Sequence, residues 1–126
     1  MKVPDNLMYT KDHEWLRTEG EEAYVGISDF AQHELGDIVF IEVETIGEIL
    51  VKGESFGTIE AVKTVSDMYM PVGGEVLLFN EELNTKPEIV NQDPYGKGWV
   101  IKIKIQNKDE IGQLLNPTQY SELIKV

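Results

Sequence analysis

No cysteine occurs among the 126 residues, so the chain forms no disulfide, carries no thiolate nucleophile and builds no cysteine metal site. Any redox sulfur has to be brought in. Histidine is nearly as scarce: the two present stand in His13-Glu14 and His33-Glu34, without the His-Glu-x-x-His spacing of a zinc helix. Both are expected at the surface, with no metal bound. Long apolar runs are missing too. Met1 to Tyr9 holds neither an apolar run of signal length nor an Arg-rich amphipathic stretch, and nothing later approaches a membrane span. The expected location is the cytoplasm. Eleven Lys and Arg face 23 Asp and Glu, a formal net charge of -12, which repels phosphate backbones and anionic lipid surfaces. Nucleic acid and membrane are therefore poor partners, and proteins with basic surfaces are favoured ones.

What is present suits one domain spanning residues 1–126, with 41% apolar content and little interior to spare for a deep catalytic cleft. His13 to Thr18 and Ala23 to Ile27 alternate apolar and polar around Glu19-Gly20-Glu21, which predicts a β-hairpin. Ser28 predicts a cap for a short helix from Asp29 to Leu35 with Ala31 and Leu35 inward, and Gly36 a left-handed stop. Strands are expected at Ile38 to Val43, Phe56 to Ala61, Val65 to Met70, Glu75 to Phe79 and Trp99 to Ile105. Ile46 to Glu54 reads as a loop or short strand, and Asn84 to Asn91 as a polar stretch broken by Pro87. After Ile105 the pattern turns helical over roughly residues 108–125, with Asn116 as a cap, Pro117 at the first helical position, and Tyr120, Leu123 and Ile124 as anchors. Ile38 to Glu54 and Val76 to Glu88 look distantly alike, each a strand, a polar bend and another strand. The fold class that follows is mainly β, a flattened barrel or sandwich with a short helix in its first half and helices at its C-terminus.

The stretch Gly57-Thr58-Ile59-Glu60-Ala61-Val62-Lys63-Thr64-Val65 puts one lysine at a predicted hairpin tip. A rigid turn is what an acylating enzyme needs, since its own site must surround the amine. On spacing alone an ordinary solvated lysine is the favoured reading. Gly96-Lys97-Gly98 lacks the longer glycine pattern of a phosphate loop and leads into a strand, so it reads as a turn. Trp15 and Trp99 read as core or groove walls. No pair of carboxylates stands out as an acid and base, so no catalytic residue is expected.

Gly57 to Lys63, followed by Ser66-Asp67, Pro71, Gly74-Glu75-Val76 and Asn80, resembles the lipoyl-attachment region of the glycine cleavage H proteins. His13-Glu14-Trp15, Gly26-Ile27, Ala31-Gln32, Leu35 to Val39, Asn91 to Tyr95 and Gly98-Trp99 extend the likeness over nearly the whole chain. The resemblance implies a lipoyl/biotinyl-type hybrid barrel or sandwich in which Lys63 carries lipoate in amide linkage. It implies that Glu60 and Gly74 help present Lys63 to the lipoylating enzyme, Glu60 as a recognition charge and Gly74 by a close backbone approach. A solvated carboxylate and a simple turn glycine are the plainer alternatives. Ala61 departs from the family, which more often has Ser there. Biotin carriers usually flank their lysine with Met, whereas Val62 and Thr64 stand here, which favours lipoate.

Acylation would remove the lysine charge and add a reach on the order of 10 Å or more, from bonds of roughly 1.5 Å. Its dithiolane would supply the missing sulfur. In the resemblance the chain is a carrier and not an enzyme: the P protein (glycine decarboxylase) loads an aminomethyl group on the arm. The T protein (aminomethyltransferase) takes it, and the L protein (dihydrolipoyl dehydrogenase) reoxidises the arm. Glu14 would belong to a groove that shields the loaded arm, its charge attracting the ammonium. A solvated strand residue is the alternative there. A carrier visiting several enzymes is expected to be a monomer. The other function open to the same Lys63 is that of a lipoate donor, or relay, for the lipoylation of other proteins.

Overall fold

The computed structural model describes residues 1–125; Val126, the last residue of the expected domain, lies outside the described residues. Two antiparallel sheets pack face to face. The larger has the order β1-β2-β3-β9-β8-β5 and is made of β1 (Met8–Tyr9), β2 (Glu14–Glu19), β3 (Glu22–Ile27), β5 (Ile49–Leu50), β8 (Gly74–Phe79) and β9 (Ile101–Ile105). The smaller has the order β4-β6-β7, from β4 (Ile38–Glu42), β6 (Ser55–Ala61) and β7 (Val65–Tyr69). Their inner faces share one buried cluster in which Leu16, Val25, Val76 and Ile103 of the large sheet meet Ile41, Phe56, Ile59 and Met68 of the small one. Alternate side chains leave a strand on opposite faces, so the inward apolar residues of each sheet can meet those of the other.

The hairpin of β2 and β3 closes with Glu19 opposite Glu22, and Gly20 takes φ 66 in the two-residue loop. A loop of that length matches strand twist only with left-handed residues, which glycine adopts without cost. Helix α1 (Asp29–Leu35) starts where expected, the Ser28 hydroxyl accepting from the Ala31 amide. Gly36 stops it at φ 81 and ψ -156, outside the left-handed helical well that was expected. At the other end, Asn116 and Gln119 form a reciprocal capping box, with Pro117 opening α4 (Pro117–Ile124). The segment before it, Lys108–Gln113, is a 3₁₀ helix.

Several expectations are corrected. Leu123 is half exposed and anchors nothing; Tyr120, fully buried and stacked on Tyr9, holds α4 down. Asn84 to Asn91 is not a bare polar stretch, because α2 (Glu82–Thr85) and α3 (Ile89–Gln92) flank Pro87 and bury Leu83, Ile89 and Val90. The distant likeness between the two halves fails for the same reason: β8 is followed by two short helices, whereas β4 is followed by β5. The last strand begins at Ile101, two residues after Trp99.

Trp15 is fully buried, its indole N–H donating to the Pro94 carbonyl at 3.0 Å. It lies across from Gly26, where a Cβ would come within 2.7 Å of the indole ring. Gly26→Ala is therefore expected to cost about 1–3 kcal/mol through forced displacement of a packed ring. Chemical denaturation checks this, and an unchanged midpoint would show that Trp15 moves freely.

Candidate functional site

Lys63 stands at the exposed end of the hairpin of β6 and β7, where Val62 and Lys63 connect Ala61 to Thr64. The Ala61 amide donates to the Thr64 carbonyl at 2.8 Å, and the Val62 amide reaches across to the Asp37 carbonyl at 3.0 Å. The tip is thus tied both to itself and to the chain leaving α1. It uses no left-handed residue: among the described residues the single non-glycine with positive φ is His13, at 73. Ile59 and Ala61 are buried just below the tip. The lysine stem lies along Gly36, where an added Cβ would sit 3.5 Å from Lys63 Cε and 3.9 Å from Nζ. Glu60 is exposed on the same hairpin, paired in register with Phe40 on one side and Val65 on the other.

Gly74 is elsewhere. It begins β8 in the large sheet, opposite Leu50 and Ile105, and its absent Cβ leaves room for the Lys104 carbonyl, which a side chain would meet at 2.4 Å. The close backbone approach expected at Gly74 exists, made against β9 and not against the turn that carries Lys63. Neither is it a turn glycine.

Glu14 is the residue whose surroundings differ most from a solvated strand carboxylate, since only 2% of it is exposed. Its Oε1 accepts from the Thr10 hydroxyl at 2.6 Å, and its Oε2 from the Tyr69 amide at 3.2 Å. The turn before it is tightly bound as well, with the Thr10 hydroxyl accepting from the Asp12 and Glu14 amides. Burial pushes the Glu14 carboxyl up to about 7, against the downward pull of the Thr10 and Tyr69 hydrogen bonds, while Asp12 adds to the rise. Thr10 and Tyr69 belong to this site and carry no sequence signature, because one acts through a turn and the other through its backbone.

Two cavities meet at Glu14. One, of about 270 Å³, is walled by Phe30, Ala31 and Leu35 of α1 and its neighbour strands' Ile27, Ile59 and Met68. Glu34, Ser66 and Asp67 also line it, so it runs beside β7 from the C-terminal end of α1 to Glu14. Four steps of about 3.3 Å separate Val65, next to the tip, from Tyr69 over Glu14, roughly 13 Å along the strand. The other cavity, about 340 Å³, lies on the far side of Glu14 among Tyr9, Lys11, Lys52, Met70 and Leu114.

The remaining residues singled out in the sequence serve the scaffold. His13 is half-buried and not at the open surface: its Nδ1 is 2.9 Å from the Tyr120 hydroxyl, which is 2.6 Å from that of Ser28. Burial holds its imidazole below the usual range, against the pull of Asp12 and Glu34. His33 is exposed. Among the described residues no cluster of His, Asp and Glu has the shape of a metal site, and no helix is long and apolar enough to cross a membrane. Gly96-Lys97-Gly98 is a turn, tied down by the buried Asn80 amide, which donates to the Lys97 and Trp99 carbonyls. Trp99 packs edge-on against Tyr24.

The raised Glu14 carboxyl predicts the sign of a pH effect on stability. Between its ordinary value, 4.5, and about 7 the folded chain holds a proton that the unfolded chain has released, so Glu14's contribution is fully present below that window and is lost as pH rises through 7. A shift of this size corresponds to about 3 kcal/mol. The difference in unfolding free energy between wild type and Glu14→Gln should change across that window, and urea titrations giving a constant difference would refute it.

Comparison with known proteins accords with this geometry. The family model for the glycine cleavage H-protein matches residues 7–126. A glycine cleavage system H protein of Bacteroides thetaiotaomicron is 52% identical over 124 residues, covering 98% of both chains. One of Salinibacter ruber is 55% identical over 123 residues, covering 98% of this chain and 99% of its own. The crystal structure of a glycine cleavage system H protein from Mycobacterium marinum superposes with a TM-score of 0.89 at 33% identity, covering 98% of this chain and all of its own. A lipoyl carrier must hold one lysine clear of its surface, and the hairpin tip does so. The chain belongs to the glycine cleavage H-protein family, the non-catalytic lipoyl carriers of the glycine cleavage system.

Proposed function

We propose that residues 1–126 act as one monomeric carrier domain whose Lys63 bears lipoate in amide linkage, and that Glu14 and the cavity beside α1 receive the loaded arm. The observation that carries this is an exposed Lys63 on a braced two-residue tip, its stem lying along Gly36 next to Leu35 in the wall of that cavity, with the buried Glu14 carboxylate in the same lining. As a component of the glycine cleavage system the chain works with the P, T and L proteins. When bound, the lipoyl group supplies the exchangeable sulfur pair that a cysteine-free chain lacks, and the point to which the one-carbon amine of glycine is attached.

This chain's residues do the rest. Lys63 tethers: its amine, freed of a proton, forms the amide bond with the acyl carbon of an activated lipoyl donor, whose bond to its leaving group breaks. Glu60 offers a charge beside that amine for the lipoylating enzyme to recognise, and Gly74 supports presentation indirectly by letting β8 and β9 close. Phe30, Ala31, Leu35, Ile59 and Met68 exclude water from the cavity walls. Thr10 and the Tyr69 amide fix both Glu14 oxygens, so the carboxylate is already aimed when a cation arrives. With its carboxyl at about 7, Glu14 binds an ammonium group by giving up a proton that burial alone would keep.

Two outcomes are expected. Co-incubation with a lipoylating enzyme, lipoate and ATP should add one lipoyl group by intact mass, mapped to Lys63, and Lys63→Arg should stay unmodified; an adduct on another lysine would overturn the assignment. In lipoylated protein loaded with the aminomethyl group, Glu14→Gln should release the amine about tenfold faster, the loss of one charge-assisted hydrogen bond of roughly 1.5 kcal/mol. Equal release rates measured by ammonia formation would remove Glu14 from the arm site.

A further inference from the structure

Strand β4 contains a bulge. Its register against β6 slips between Ile38 and Phe40, so the burial along Ile38–Glu42 does not alternate: Ile38 and Ile41 are buried, while Val39 and Phe40 both face solvent, 46% and 48% exposed. A bulge of this kind re-aims a side chain that the pleat would otherwise turn inward. Here it brings two adjacent apolar residues to the surface beside the lysine tip. Phe40 lies opposite Glu60, and Glu60 opposite Val65, so the three cross the outer face of the small sheet in one row; Val62, at the tip, is 74% exposed. Single exposed apolar residues need no explanation, but four gathered around one lysine do.

The charges around them have one sign. Glu42, Glu60 and Asp67 are the charged residues of β4, β6 and β7, which contain no Lys, Arg or His, and Glu42 and Asp67 lie in the next row, on either side of Thr58. Glu34 and Asp37 follow at the end of α1. Lys63 is thus a lone cation in an acidic, partly apolar field.

We propose that Val39, Phe40, Val62 and Val65, bordered by Glu42, Glu60 and Asp67, form the docking face for the enzyme that acylates Lys63, a partner with an apolar socket edged by Lys or Arg. This rests on the reading that Lys63 is the acylated residue. Reach selects this occupant over the other components. Once acylated, the arm extends on the order of 10 Å beyond the amine, so a catalytic partner can meet its end without touching the sheet. An acylating enzyme has only the lysine stem and must bring its activated donor onto the amine itself, which presses its surface against the residues around the tip. Charge complementarity favours the same encounter and makes it sensitive to salt.

The test uses the full chain, a lipoylating enzyme, ATP and lipoate, with intact mass reporting the acylation rate. Phe40→Thr with Val65→Thr should lower kcat/KM about tenfold or more, mainly through KM, as expected when two half-exposed apolar side chains together lose roughly 1.5 kcal/mol or more of contact. Ile49→Thr, an exposed apolar residue on the edge strand β5 of the other sheet, should leave it unchanged. Glu42→Gln with Asp67→Asn should flatten the fall of the rate with ionic strength. Thermal unfolding identical to wild type establishes that the surface variants fold. Wild-type kcat/KM in the folded Phe40/Val65 variant overturns the docking face while leaving Lys63 as the attachment point. So does normal acylation accompanied by loss of turnover with the P or T protein in lipoylated variant, which assigns the patch to them. A wild-type chain that stays unmodified under the same conditions overturns the Lys63 reading and this one together.

Discussion

Phe56, Ile59 and Met68 point from the small sheet into the same buried cluster as Leu16, Val25, Val76 and Ile103 of the large one, and the position of every functional group depends on that contact. An isolated two-stranded hairpin is marginally stable in water. With its inner face buried and β4 paired along one edge, the β6 and β7 hairpin becomes a stiff post. The tip is then free of any duty to the core and can carry a cation that the core would reject.

The same packing creates the second half of the site. Joining β2 to the small sheet through the Tyr69 amide takes Glu14 out of water, and a carboxylate in that position holds its proton to about 7. Desolvation is normally a penalty. A cation placed beside Glu14 would offset that penalty, and a neutral group would not. Thr10 meets part of the same cost with its hydroxyl, by a hydrogen bond of 2.6 Å.

Electrostatics at longer range works in one direction throughout. A formal net charge of -12 favours encounters with basic surfaces, while the outer small sheet carries three acids and no base. Lys63 interrupts that field, and acylation at this lysine would remove its charge. An acylated form would then differ from the unmodified one in the charge of the face that surrounds the tip as well as in the presence of the arm.

Local patterns identified much of this in advance. Period-two alternation located the first hairpin, β-rich composition the strands of the second, Ser28 and Asn116 announced the starts of α1 and α4, and the run from Gly57 to Val65 placed Lys63 on a turn, because caps, turns and strand propensity are encoded by residues within a few positions of one another. Burial of Glu14 was not visible, since it depends on Tyr69, 55 residues away in sequence; nor was the backbone approach of Gly74 to Lys104. The outward turn of Val39 and Phe40 reads from sequence as ordinary strand, and only the register against β6 shows that one is displaced. Leu123 failed as an anchor because a short amphipathic helix can be rotated by what it docks on, here Tyr120 against Tyr9. The chain's own order thus determined which elements form and which lysine is presented, while the pairing of distant strands decided which carboxylate is desolvated and which apolar residues face out.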